Sequence, residues 1–390
     1  MGRKKKNFFD ILITLALLFG LGQLFYSLIG SSFSKIPYDF GVYYYAARSI
    51  LTGLNPYHSL LGGDAFQYAP NSLLVFAFTG FFEPETAFIV WTILSFLAVV
   101  LSVLLIIKTL KLNINYFTFC LLLILVIGAF PMRFNLSSGQ PNNFLLLAFA
   151  ASFWAYTTKR NLLAGFFLTL IGGIKIFPLF VGSYFLIKKQ YKVIVSVLFS
   201  FLFLYFFTAG IFGSYLITIF PQLSYERFDL TAIFSNKIYY NQALTGFLAR
   251  LYFPTNLSIA LYLIFFIILI FFTIKTITRK TLEKGPTFLA LEYSLFILLW
   301  LILGGFSWQH YFTVLIFPFL SVLSFIQRKP ESKILFVPLF LSYFLVASNL
   351  RDGIFSQYFP AIILSHVFYG TMILYILVIR SLGESQKIKV

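Results

Sequence analysis

The sequence predicts an all-α protein, a bundle of about twelve or thirteen transmembrane helices forming one integral membrane domain over residues 1–390. Three observations carry this expectation. Hydrophobic residues make up 60% of the chain and charged residues 11%, whereas a soluble domain holds about 25% charged residues and seldom exceeds about half apolar ones. The solvent of most side chains is therefore lipid. Apolar runs near the length of about 20 residues that a crossing needs follow one another almost without interruption. The basic residues, which give a net charge of +17, fall in short connector clusters and not along one face of a domain. That is the pattern of cytoplasmic loops, and it argues against nucleic acid as a partner.

Taken in order, the basic start Met1 to Lys6 precedes an apolar run at 8–30. The run is too long for a signal peptide and lacks a small-x-small cleavage site, so it reads as an uncleaved first span with its amino end in the cytoplasm. Further spans are expected near 70–82, 86–108, 116–131, 142–157, 161–187, 193–213, 255–274, 287–305, 309–326, 333–348 and 359–380. The run 161–187 reads equally as two short helices broken at Gly172-Gly173. Counting back from the basic tail puts the loops 188–192, 275–286 and 327–333 on the cytoplasmic side of the cell membrane, with both termini. The topology between 70 and 190 stays open, because short runs such as 70–82 and 116–131 also suit half-spans lining a cavity. Two long polar segments, 31–69 and 214–254, then lie outside. The first holds a surface helix from Tyr38 to Leu51, ended by Gly53, Asn55 and Pro56. Cys120 is the only cysteine, which excludes an intramolecular disulfide and a cysteine-based metal site.

Few residues offer chemistry. Asp39 opens the aromatic-rich Tyr38–Leu51 helix and is either its cap or a general base whose carboxylate an apolar wall tunes. Lys175, in Gly172-Gly173-Ile174-Lys175-Ile176-Phe177-Pro178, places an ammonium between apolar segments. It either snorkels to headgroups or meets an anion. His310 lies in Ser307-Trp308-Gln309-His310-Tyr311, between two spans and beside the two long outer segments. The carboxamides of Gln140, Asn142, Asn241 and Gln242 suit sugar hydroxyls, since each both donates and accepts, and equally suit helix capping. Tyr68 and Trp308 join them as candidate sugar- or acceptor-binding residues. Arg48 and Arg133 are further cations. No P-loop, dinucleotide fingerprint, zinc motif, nucleophile elbow or Asp-x-Asp pair occurs, so no cofactor and no metal are expected.

In order, Asp39-Phe40-Gly41-Val42-Tyr43-Tyr44, Gly53-Leu54-Asn55-Pro56-Tyr57, Phe66-Gln67-Tyr68-Ala69-Pro70, Gly139-Gln140-Pro141-Asn142, Lys175-Ile176-Phe177-Pro178, Asn241-Gln242 and Ser307-Trp308-Gln309-His310 form a recognisable series. It resembles glycosyltransferase family 87, membrane enzymes of the GT-C fold that use polyprenyl-phosphate sugars and include mannosyltransferases of phosphatidylinositol mannoside synthesis. The resemblance implies a hexosyltransferase acting at the outer face, with a lipid-linked sugar donor and a lipid or glycan acceptor. It implies Asp39 as the catalytic base and His310 near the donor phosphate, and it matches Lys175 to the lysine of a Lys-x-x-Pro motif; read from the residues alone, Lys175, His310, Arg48 and Arg133 are the cations available to that phosphate. The sequence departs from the family pattern at Ala69, Ala243 and Tyr311, positions that bear on the acceptor and on the finer donor contacts. Two other functions use the same parts: a transporter or flippase of lipid-linked sugars, and a non-catalytic partner in envelope polysaccharide assembly. Only a transferase needs a carboxylate on the outer surface.

Overall fold

The computed structural model describes residues 36–58, 66–226, 229–279, 285–351 and 363–386, so the expected first span at 8–30 lies outside the described residues. Within them the chain is helical throughout, and the only extended pairing is an isolated antiparallel bridge between Asn241 and Trp308. Among the described residues, seven helices are long and apolar enough to cross a bilayer: Pro84–Leu110, Tyr191–Phe212, Thr255–Thr278, Pro286–Leu303, Gln309–Arg328, Pro330–Ala347 and Ile363–Glu384. The pair Tyr116–Gly128 and Phe130–Ser137, bent by 66° at the extended residue Ala129, makes an eighth. This is a multi-pass membrane bundle.

The remaining apolar runs explain why counting by hydropathy gives a larger number. Pro70–Phe81, Asn142–Thr157, Asn161–Ile174 and Phe177–Ile187 are separate shorter helices. At 1.5 Å per residue, a 16-residue helix covers about 24 Å, less than the ~30 Å of a hydrocarbon core. The break inside 161–187 falls at Lys175 and Ile176, one helical residue beyond the two glycines where it was expected. Local signals set the other boundaries. Proline opens the first turn of Pro84–Leu110 and Pro286–Leu303, where its missing N–H costs nothing. Lys111, Lys159 and Lys189, in the short basic connectors, each take a left-handed conformation (φ 52°, 63° and 55°) that stops the preceding helix.

Burial sorts the spans into layers. In Pro286–Leu303 and Gln309–Arg328, 89% and 78% of the apolar window is buried, so these two form the centre. Tyr191–Phe212 and Thr255–Thr278 are 17% buried and stand at the perimeter, where Phe199, Phe203 and Phe207 stack outward in a ladder. The perimeter helix Tyr191–Phe212 is drawn against Asn161–Ile174 at Gly165, where a Cβ would sit 2.5 Å from the Val193 carbonyl oxygen. Glycine allows the two backbones to touch, as small residues do between membrane helices. Glu292, buried in the central Pro286–Leu303 helix, is matched by Lys188 at 2.5 Å and by the Tyr184 hydroxyl, which keeps its charge from being orphaned.

The two long polar segments are folded onto this bundle. Tyr38–Leu51 is a helix with the expected bounds, but it is more than a surface element: Phe40, Tyr43, Tyr44, Ala47 and Ile50 are buried. Phe40, Tyr43, Tyr44 and Ile50 pack in a cluster with Phe66, Phe76, Phe88 and Trp91. The second segment contains three short helices, Leu216–Glu226, Leu230–Ser235 and Leu244–Arg250.

Candidate active site

Asp39 lies in the first turn of Tyr38–Leu51, yet it does not cap the helix. The cap position is Pro37, and no side chain bonds the free N–H groups there. Its carboxylate instead accepts a hydrogen bond from Gln140 Nε2 at Oδ2, 3.0 Å away. Oδ1 takes no bond from the described residues. One turn on, and on the same face, Tyr43 donates from its hydroxyl to Gln140 Oε1 at 3.0 Å and meets the Tyr68 hydroxyl at 2.8 Å. Tyr43 also stacks on Phe76 with ring centroids 4.5 Å apart. Burial pushes the Tyr68 hydroxyl up to about 12 and that of Tyr43 well above its ordinary value, so both stay protonated donors at physiological pH.

The turn that delivers Gln140 is held tightly. Gly139 has φ +70°, and a Cβ there would lie 2.6 Å from Phe40 Cβ. Its carbonyl accepts from Trp91 Nε1 at 2.8 Å, and the Gln140 N–H donates to the Asn135 carbonyl at 3.0 Å. Gly139→Ala is therefore expected to lower stability by about 1–2 kcal/mol from the left-handed conformation alone, read as a lower midpoint of thermal unfolding in detergent. An unchanged midpoint would show that the turn adapts to a side chain.

Lys175 follows the broken helix end and is buried. Its ammonium donates to Asn142 Oδ1 at 3.0 Å and to Gln140 Oε1 at 3.4 Å, and it stands 3.7 Å from the centre of the Tyr311 ring. The Tyr68 ring lies 6.0 Å away. No described carboxylate forms an ion pair with it. The cation is therefore held by neutral groups, two carboxamide oxygens and a ring face. Asn142 is fixed in turn, since its Nδ2 donates to Asn135 Oδ1 at 2.7 Å.

The third wall comes from residues 304–311. Two strand-like bonds tie it to the second long polar segment: the Gln242 N–H donates to the Ser307 carbonyl at 2.8 Å, and the Gln309 N–H to the Tyr240 carbonyl at 2.9 Å. This bridge sets Tyr311 against Lys175 and buries His310 edge-on to Phe134, centroids 5.2 Å apart. His310 Nδ1 has no partner among the described residues. The bridge is anchored from behind by Arg250, a buried guanidinium that donates to the carbonyls of Ile238 and Asn241 and to Ser365 Oγ. Burial pulls Arg250 down to about 10, which leaves it charged at neutral pH.

Asp39, Gln140, Asn142, Lys175 and Tyr68 thus belong to one connected cluster, through Tyr43, and it forms the chamber of the candidate site, with His310 next to it through Tyr311. Other expected residues are elsewhere. Arg48 is exposed and bonds the Gly80 carbonyl, and Arg133 is exposed as well. Gln242 is occupied by backbone: its Nε2 donates to the carbonyls of Tyr239 and Leu364, and its Oε1 accepts from the Phe368 N–H. Asn241 Oδ1 accepts from the N–H groups of Ala243 and Ser307, while its Nδ2 is buried without a partner among the described residues. Trp308 is half-buried and stacks on Phe306. Sequence reasoning did not single out Tyr43, Asn135, Asn71 and Gln309, and it treated Tyr311 only as a departure. The carboxamides of Asn71 and Gln309 are buried with neither atom bonded among the described residues. Groups in that condition are satisfied by water or by a ligand. Tyr43 had a legible signal, four residues beyond Asp39 in a helix.

No curated protein and no solved structure matches the chain. The model of glycosyltransferase family 87 matches residues 66–303, a span that holds Tyr68, Gln140, Asn142, Lys175, Asn241 and Gln242 and is flanked by Asp39, Arg48, Trp308 and His310. A match over more than half of the chain, on a polytopic helical bundle, makes this protein a member of glycosyltransferase family 87.

Proposed function

We propose that this membrane glycosyltransferase moves a hexose, with mannose the first candidate, from a polyprenyl-phosphate donor to a hydroxyl of a lipid or glycan acceptor at the extracytoplasmic face. The observation that carries the reading is the pairing of a carboxylate and an unpaired ammonium across one carboxamide: Asp39, Gln140 and Lys175. Asp39 takes the proton of the acceptor hydroxyl as its oxygen attacks the anomeric carbon. The bond from that carbon to the phosphate oxygen breaks, and the phosphate leaves on the polyprenol. Lys175, with His310 beside it, offsets the charge that grows on the leaving phosphate. A single displacement guided by one base inverts the anomeric centre. The buried carboxamides of Asn71 and Gln309, unbonded among the described residues, offer both donors and acceptors to sugar hydroxyls, with Asn142 beside Lys175. The apolar perimeter supports a donor that arrives from the bilayer, which makes a nucleotide-binding domain unnecessary.

The test is product formation. The purified protein in lipid vesicles is supplied with radiolabelled polyprenyl-phosphate mannose, or its glucose and arabinose counterparts, and envelope lipid extract. A labelled glycolipid is expected with one of the donors, and a β-to-α or α-to-β change at the anomeric carbon by NMR. Donor recovered unchanged in the opposite leaflet, with no new glycolipid, would replace this reading by the transporter.

A further inference from the structure

The carboxamide of Gln140 stands between the two charges of the chamber, and chemistry fixes which way it points. One end lies 3.4 Å from Lys175 Nζ and 3.0 Å from the Tyr43 hydroxyl, the other 3.0 Å from Asp39 Oδ2. An ammonium only donates and a carboxylate only accepts. The oxygen must therefore face Lys175 and the nitrogen must face Asp39, because the flipped amide would set donor against donor and acceptor against acceptor. Both acceptor positions of Oε1 are then filled, by Tyr43 and Lys175, and one N–H is given to Asp39. Gln140 was expected to bind sugar; its hydrogen-bonding capacity is largely used inside the protein.

We infer that Gln140 is a positioning residue for the base: it orients Asp39 through Oδ2, leaves Oδ1 for the acceptor hydroxyl, and couples the carboxylate to the Lys175 ammonium. The inference rests on the reading of Asp39 as the base. The coupling has a direction. Lys175 draws electron density toward Oε1, which makes Nε2–H a stronger donor to the carboxylate. A donor phosphate that engages Lys175 weakens this pull and leaves Asp39 the better base. The base is then strongest when the leaving group is in place. The amide can act this way because it is immobile, held by the Gly139 turn, by Trp91 and by the Asn135 carbonyl. The titratable groups that face Asp39 from the surrounding elements are Lys175, Tyr43, Tyr68 and Tyr311. None of them is replaced in the test.

Two variants and one control separate this role from simple packing. Gln140→Glu keeps an oxygen toward Lys175 and Tyr43 but sets a second carboxylate oxygen against Asp39, where two like charges share a proton. The acidic limb of the kcat/KM profile, on which activity rises as the base ionises, is expected to move to higher pH by about one unit or more. On that limb activity falls by up to about tenfold at a given pH and recovers as the pH is raised. Gln140→Met, which removes the donated N–H without adding charge, moves the limb in the same direction by less. Both variants keep a cooperative thermal transition. Limbs that stay at the wild-type position in both variants, while Asp39→Asn is inactive, would overturn the positioning role and leave the base intact. Activity retained by Asp39→Asn would overturn the base itself, and the inference with it.

Discussion

Asp39→Asn is expected to lower transfer by about 10²- to 10⁴-fold, the range that a positioned general base contributes, with donor binding changed by less than threefold. The substitution suits the test because asparagine keeps the side-chain shape and can still accept the Gln140 N–H through its own oxygen. The helix that carries it is held by the buried faces of Phe40, Tyr43, Tyr44 and Ile50, so the fold does not depend on the carboxylate. What is lost is the ability to take a proton. The measurement is initial rate of glycolipid formation beside equilibrium binding of the labelled donor. A rate within tenfold of wild type would remove Asp39 from the reaction.

Lys175→Met is expected to reduce kcat/KM for the donor by about 10²- to 10³-fold, the effect of removing one preorganised electrostatic partner of a developing charge. The thermal midpoint should nevertheless hold. A buried charge with only neutral partners has lost its hydration without gaining a counter-ion, and apolar replacements of such groups are often neutral or stabilising. The substitution does leave Asn142 Oδ1 without its donor, which limits any gain. Loss of activity together with retained stability is the signature of a cation kept for a ligand. A variant that loses both in proportion would instead make Lys175 a structural tie between Asn142, Gln140 and Tyr311.

Some of this arrangement was legible in the residues. The Tyr38–Leu51 helix was, because Gly53, Asn55 and Pro56 stop it, and so was the break before Lys175, because two glycines weaken a helix end. The number of crossings was not, since hydropathy registers an apolar run and is blind to its length after bending. The four carboxamides show the limit most clearly. Gln140 and Gln242 look alike in sequence, and only tertiary partners make one the neighbour of a carboxylate and the other a clamp on the backbone of residues 239, 364 and 368. Helical phase, in contrast, already separates Tyr43 from Arg48. At about 100° per residue, four residues return nearly to the Asp39 face and nine end on the opposite one. Arg48 accordingly turns away, toward the Gly80 carbonyl.

The Asn241–Trp308 bridge also has a meaning for biosynthesis. Asp39, Gln140 and Lys175 leave the ribosome early, but the wall that carries Tyr311 and His310 is set only when residues 241–309 have paired. That pairing is braced by Gln242 and Arg250 against Leu364, Ser365 and Phe368 of the last helical segment. A chain still emerging therefore holds its carboxylate and its ammonium in an unfinished chamber. The wall is complete only when the helical segment Ile363–Glu384 has arrived to brace it.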